Sequence, residues 1–213
     1  MKKISACIIC QDEEYYIERA LKNIYKYVNE IVVVDGGSQD KTLEICKKYN
    51  CKIFERPFDY HFADQRNFGQ QQCKYDWVLW LDADEYFNEK FLIDLQKIIH
   101  KNPSHCDGYH INIYTYFDNK FACQTNRGCL LRRLDTYWVN RTHEHICSSN
   151  NKKFIMLQED YKILHKKSLQ RQQYNNLLYD HISKRLERPD YDYGAYFDNT
   201  KGRLIKIKNR RDG

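Results

Sequence analysis

Four short apolar runs alternate with helical patterns through the N-terminal half, and this rhythm constrains the fold more than any other feature. Ile4 to Cys10 reads as a strand, and Ile17, Leu21, Ile24 and Val28 then recur at helical spacing. Ile31-Val32-Val33-Val34 is a β-branched run that ends at Asp35. Gly36-Gly37-Ser38 reads as a turn, and Asp40 is placed to cap a helix through about Tyr49. Lys52-Ile53-Phe54 is a third strand, Phe62 to Gln72 a helical segment, and Trp77 to Leu81 a fourth strand. Phe91, Leu95, Ile98 and Ile99 mark a further helix, stopped by Pro103. Repeated strand-helix order predicts an α/β fold with a parallel sheet covered on both faces. Such sheets bind ligands at the carboxyl ends of their strands.

From about Asp107 the rhythm changes. Tyr109 to Phe117 and Cys129 to Leu134 look like strands, joined by irregular polar connections. Tyr137 to Cys147 is a mixed segment rich in His. Ser168 to Leu186 reads as a helix with Leu169, Tyr174, Leu177, Leu178 and Ile182 on its apolar side. The tail from Tyr191 is polar and basic. With 213 residues the chain fits one domain, 1–213, and its end carries no obvious stop, as in a domain cut from a longer protein.

The net charge of +6 is mild and its bases are scattered among acids, with no nucleic-acid recognition motif. Met1-Lys2-Lys3 leads straight into a strand-like run, without the pattern of a signal peptide. No apolar run approaches the ~20 residues that span a bilayer. The expectation is a cytoplasmic protein, soluble or in peripheral contact with a membrane. Nine Cys without framework spacing read as reduced thiols. Cys7 and Cys10 form a C-x-x-C inside a strand, where residues three apart face opposite sides and cannot easily share a zinc.

The polar residues that invite a functional reading sit at strand ends. Val78-Leu79-Trp80-Leu81 runs directly into Asp82-Ala83-Asp84-Glu85. On a strand, Asp82 and Asp84 would point to one side and repel, unless a cation relieves them. A hard divalent metal with oxygen ligands suits that pair and can bridge a diphosphate. Alternation turns Glu85 elsewhere. D-x-D is short enough to arise often by chance, and Asp190-Tyr191-Asp192 is a second copy that reads as solvated loop. Asp35 reads equally as a turn former or as an acceptor for a base or ribose. Arg66 reads as facing a nucleotide or lying on a solvated helix face. Arg141-Thr142-His143-Glu144-His145 reads as an exposed strand or as acceptor-binding groups with a general base. His165 reads as a strand-end His or a late metal ligand.

These stretches, in this order and spacing, resemble family 2 glycosyltransferases. The resemblance is carried by Ser5 to Glu14, Val34-Asp35-Gly36-Gly37-Ser38-Gln39-Asp40-Lys41-Thr42, Gln65-Arg66-Asn67 and Leu81-Asp82-Ala83-Asp84-Glu85. Arg132-Arg133, Thr142-His143-Glu144 and Leu164-His165-Lys166-Lys167-Ser168 echo the lipopolysaccharide-core glucosyltransferase branch. A capsid glycosyltransferase domain of large DNA viruses is a further relative that the motifs leave open. The family implies a GT-A fold, Rossmann-like, with a mostly parallel central sheet flanked by helices and a smaller mixed β region in the second half. It implies a nucleotide-sugar-binding half at 1–106, an acceptor-side half at 107–190 and a tail at 191–213. It also implies Mn²⁺ or Mg²⁺, with Asp84, Asp82 and His165 as ligands. Ile9, Cys10, Gln11, Asp35, Arg66, Asp82 and Ala83 would bind the nucleotide sugar, with Asp35 at the uracil. The family often carries Thr or Lys where this chain has Cys10 and Gln11. Glu144 would be the catalytic base, with Asp107 and His145 as alternatives.

The function expected is inverting transfer of a hexose or deoxyhexose from a UDP-sugar to a hydroxyl of a glycan, glycoprotein or glycolipid. A non-catalytic module that binds nucleotide sugar or glycan is the main alternative. A sugar nucleotidyltransferase should carry a Gly-rich basic loop where this chain reads Cys10-Gln11-Asp12-Glu13-Glu14. An Asp-nucleophile phosphatase should place its D-x-D after the first strand rather than the fourth.

Overall fold

The computed structural model describes residues 1–185, 195–198 and 203–206. The second D-x-D and the basic tail from Lys201 to Arg211, apart from 203–206, lie outside the described residues. In chain order the first half runs β1 (Ile4–Cys10), α1 (Ile17–Ile24), β2 (Glu30–Asp35), α2 (Thr42–Lys48), β3 (Lys52–Glu55), α3 (Phe62–Gln72), β4 (Trp77–Trp80), β5 (Glu85–Phe87) and α4 (Glu89–His100). The second half runs β6 (Cys106–Phe117), β7 (Lys120–Arg132), β8 (Thr136–Val139), β9 (His145–Ser148), β10 (Lys153–Met156), β11 (Lys162–Lys167) and α5 (Leu169–Arg185). Two short strands, β12 (Ala195–Asp198) and β13 (Arg203–Lys206), pair with each other.

The four strands expected from the first half form the parallel segment β3-β2-β1-β4. Registry sets Cys10 beside Asp35, so the ends of β1 and β2 are level. The second half continues the same sheet in mixed sense, in the order β4-β7-β6-β11-β5, with β10 alongside the start of β6. β7 runs antiparallel to both β4 and β6. Alternation along β1 divides the core. Ile4, Ala6, Ile8 and Cys10 join the cluster packed against α1 and α4, while Cys7 joins Trp80, Trp138 and Leu131 on the α3 side. Cys7 and Cys10 therefore lie on opposite faces, and all nine cysteines are free thiols.

α3 lies unusually close to the sheet. A Cβ on Gly69 would come within 2.7 Å of Cys7 Sγ and 2.8 Å of Val34 Cγ2, so only glycine lets the helix settle there. Apart from Ala63, its buried side chains are polar. Asn67 donates to Trp138 O and accepts from Trp138 N, both at 2.8 Å, and Gln70 donates to the carbonyls of Arg133 and Thr136. These bonds satisfy backbone groups that burial would otherwise leave orphaned.

Two segments differ from the expectation. β7 extends back to Lys120, although its residues before Arg127 are all exposed. Backbone pairing with β6 makes that outer part a strand, without any apolar alternation to announce it. On α5, Ile182 is buried as expected, but Leu169 and Leu177 are 48% and 69% exposed. No helix among the described residues is long and apolar enough to cross a membrane.

Candidate active site

A cleft opens above the carboxyl ends of β1, β2 and β4. Its floor and walls include Ile9, Cys10, Gln11, Arg66, Asp82, Ala83, Asp84 and Glu144, which the sequence nominated. Two loops form one wall. Asp12 N donates to Ser38 Oγ, Gln39 N to Asp12 Oδ1, Glu13 N to Thr42 Oγ1 and Glu14 N to Asp40 Oδ2, all between 2.7 and 2.9 Å. The loop after β1 is thus stitched to the loop after β2. Asp35 braces the same wall from beneath. It is 1% exposed, and its carboxylate accepts from Gly37 N, Ser38 N and Ser38 Oγ. Gly37 takes φ +111°, which L side chains rarely adopt. Asp35 itself does not line the cleft, whereas Gly36 does.

Asp82 and Asp84 do not sit on a strand. β4 ends at Trp80, and the acids occupy a turn in which Glu85 N bonds Asp82 O at 3.0 Å. Strand alternation therefore does not apply, and the two carboxylates turn to different partners. Asp82 meets Arg66 Nη1 at 2.9 Å and Arg127 Nη1 at 2.5 Å. Burial works against its charge, but the Arg127 and Arg66 guanidiniums outweigh that and hold its carboxyl well below the usual range. Asp84 Oδ2 lies 2.9 Å from His165 Nε2, and Lys167 Nζ approaches the same oxygen at 4.0 Å. Burial again opposes the charged form of Asp84, and the His165 imidazole again overcomes it. His165 is raised in turn, because Asp84 outweighs the burial that disfavours an imidazolium.

Glu85 corrects the expectation that it faces elsewhere. It is 2% exposed, accepts from Asp82 N and pairs with Arg127 Nη2 at 2.5 Å. The tight turn, rather than strand alternation, brings it round. An alternating chain of charge results: Glu144, Arg66, Asp82, Arg127, Glu85. Arg66 anchors it from α3, 5.0 Å over the Trp138 ring and 5.5 Å over Trp80. Its side chain is 5% exposed, so it does not lie on a solvated face.

Glu144 lines the cleft, with Oε1 accepting from Arg66 Nε at 2.8 Å. The two alternatives to it lie elsewhere. Asp107 is at the start of β6, where registry carries it level with Trp77 and Arg132, at the amino end of β4. There it pairs with Ser148 Oγ and Lys152, on the opposite edge of the sheet from the cleft. His145 opens β9, is exposed and does not line the cleft.

Several cleft residues escaped the sequence reading. α5 contributes Arg171, Asn175, Leu178 and Tyr179, a single helical face of mixed polarity. That spacing is legible in the sequence, although an apolar stripe does not show it. Arg171 pairs with Glu13, and Tyr179 packs against Phe62 and His143 with centroids 5.7 Å away in each case. Burial, followed by repulsion from Asp84, pushes the Glu13 carboxyl up to about 7 against the pull of Arg171. Arg127, which pairs with Asp82 without lining the cleft, follows the exposed arm of the hairpin and gave no signal at all.

The donor set tests the expected metal. Both oxygens of Asp82 are engaged by guanidiniums, so Asp82 fits poorly as a direct ligand. Asp84 Oδ2 and His165 Nε2 are adjacent and can turn to one cation. Among the described residues no group of three or more His, Cys, Asp or Glu is arranged to hold a metal. A two-ligand protein site suits Mg²⁺ or Mn²⁺ that completes its shell with phosphate oxygens and water.

Comparison with known proteins bears on the family and the fold. An uncharacterised glycosyltransferase of Rickettsia typhi is 36% identical over 98 residues, covering 46% of this chain and 33% of that protein. The lipopolysaccharide core biosynthesis glycosyltransferase LpsC of Rhizobium meliloti is 35% identical over 86 residues, covering 38% and 32%. The chain spans about a third of the length of these curated relatives. The crystal structure of S. aureus TarS shares the fold, with a TM-score of 0.57 at 18% identity, over 84% of this chain and 39% of that one. Residues 5–177 match the family model described as glycosyl transferase family 2, and the chain belongs to that family.

Proposed function

We propose that the chain transfers a hexose or deoxyhexose from a UDP-sugar to a hydroxyl of a glycan, with Mn²⁺ or Mg²⁺ held by Asp84 and His165. The observation that carries this reading is the Asp84–His165 pair, 2.9 Å apart beside a cleft at the strand ends. Family membership supports it, as does the shared fold of TarS, which was also crystallised with UDP-GlcNAc at 20% identity and a TM-score of 0.54.

In this reading the base and ribose lie along Ile9, Cys10, Gln11 and Gly36, a wall that Asp35 stiffens. Arg66 and Arg127 hold Asp82 in place and supply positive charge near the leaving diphosphate. When bound, the divalent cation neutralises charge that grows on that diphosphate. Glu144 faces the same space with one oxygen held by Arg66, and the other takes the proton of the acceptor hydroxyl in a single displacement that inverts the anomeric centre. The cleft residues thus divide into a donor wall, a charge-bearing floor and a base.

The test is a screen of UDP-, GDP- and dTDP-sugars for Mn²⁺-dependent thermal stabilisation and slow donor hydrolysis, with Asp84→Ala as control. A UDP-sugar present at 100 times its Kd should stabilise the fold by about 2.7 kcal/mol. Asp84→Ala should abolish the metal-dependent part and cut hydrolysis by about 10²-fold or more. If no nucleotide sugar raises the melting temperature with metal present, the reading fails.

A further inference from the structure

Residues alternate between the two faces of β6, β7 and β11. One face carries Thr115, Arg127 and His165, which serve the cleft. The reverse face carries Tyr114 and Tyr116 on β6 and Lys162 and Lys166 on β11, with registry placing Lys166 beside Tyr116 and Tyr116 beside Phe121. Phe121 is 58% exposed, and its ring centroid lies 6.4 Å from Tyr114 and 5.8 Å from Tyr116. Lys162 Nζ sits 5.3 Å over the Tyr114 ring and Lys166 Nζ 5.6 Å over Tyr116. Among the described residues neither lysine forms an ion pair. Asp160 pairs with Lys90, and Asp84 with His165 and Lys167. The hairpin turn adds one acid and one base, Asp118 and Lys120.

We propose that this reverse face binds an acidic glycan, and so grips a polymeric acceptor away from its reacting end. The proposal rests on the glycosyltransferase reading. Sugar C–H groups carry slight positive charge and stack on the negative faces of aromatic rings. Carboxylate or phosphate groups on the glycan give the two unpaired ammoniums their missing counter-charge. Exposed amides on β7, such as Gln124, donate and accept hydrogen bonds to hydroxyls. A membrane-binding face would present several exposed apolar side chains beyond its lysines, whereas here Lys162 and Lys166 lie over the Tyr114 and Tyr116 rings and Phe121 is the one exposed ring of these three.

The full chain is titrated by fluorescence with an oligogalacturonate, a glycerol-phosphate polymer, a neutral malto-oligosaccharide and phosphatidylglycerol vesicles. At least one acidic polymer should bind about tenfold more tightly than the neutral glycan, a difference expected to shrink with salt. Lys162→Gln with Lys166→Gln should remove that preference. Tyr116→Ala with Phe121→Ala should weaken acidic and neutral glycans alike. Thermal stabilisation by UDP-sugar and Mn²⁺ should be unchanged in both variants, which shows that they fold. Equal binding of acidic and neutral glycans, binding to neither, or binding to vesicles alone overturns the proposal. Loss of donor stabilisation in the unmodified protein would instead sink the donor reading, while the titration still decides this face.

Discussion

The two arms that clasp Asp82 reach it by different physical routes. Arg66 comes from α3, a helix pinned to the sheet by Gly69 and flanked by Trp80 and Trp138. Arg127 comes from the outer arm of the β6–β7 hairpin, whose earlier residues are all exposed. The first guanidinium is positioned by core packing, the second by backbone registry together with its pairs to Asp82 and Glu85. The contrast shows that one carboxylate can draw one partner from a buried helix and the other from a strand with no hydrophobic pattern.

The largest expected effect tests the packed arm. Arg66→Ala leaves Asp82 and Glu144 without a shared partner and empties the space between two tryptophans. Denaturant unfolding should show a loss of about 3–5 kcal/mol. A loss below about 1 kcal/mol, of the size found for exposed pairs, would mean that solvent already screens this one. Next, Arg127→Ala should cost about 3 kcal/mol, since Glu85 stays buried and unpaired. If it costs as much as Arg66→Ala, registry holds its residue as firmly as packing does, and the comparison loses its force.

A third prediction uses pH. The Glu13 carboxyl, raised from 4.5 to about 7, keeps its proton longer in the folded chain than in the unfolded one. Folding then binds protons between those values, so Glu13 withdraws stability as pH rises from 4.5 through 7. Glu13→Gln removes this dependence, and in metal-free buffer its stability should gain on the unmodified protein by about 3 kcal/mol between pH 4 and pH 8. A gap that does not move with pH would break the assignment. The smallest effect belongs to α5. Leu177→Gln, at an exposed position, should change stability by no more than about 0.5 kcal/mol. Tyr179→Ala on the cleft side of the same helix should instead raise the apparent Kd for donor. If Leu177 proves costly, the assignment of faces on this helix is wrong.

The sequence by itself determined the parallel segment. Burial on both faces demands continuous apolar runs, as in Val32-Val33-Val34 and Val78-Leu79-Trp80, and such runs are legible without coordinates. The polar ends of those strands also pointed to Asp82 and Asp84, whereas Arg66, on α3, and Glu144, just before β9, were nominated through the family resemblance. Only the tertiary structure decided how these groups are used. A tight turn after Trp80 overrides strand alternation, so Asp82 and Glu85 share Arg127 while Asp84 turns to His165 and Lys167. Registry over many residues carries Asp107 to the far edge of the sheet and brings Arg127 to the near one. Local pattern records which face a residue buries. It cannot record which distant residue lies across the gap, since that depends on strand order and register, and those are fixed only when the whole sheet assembles.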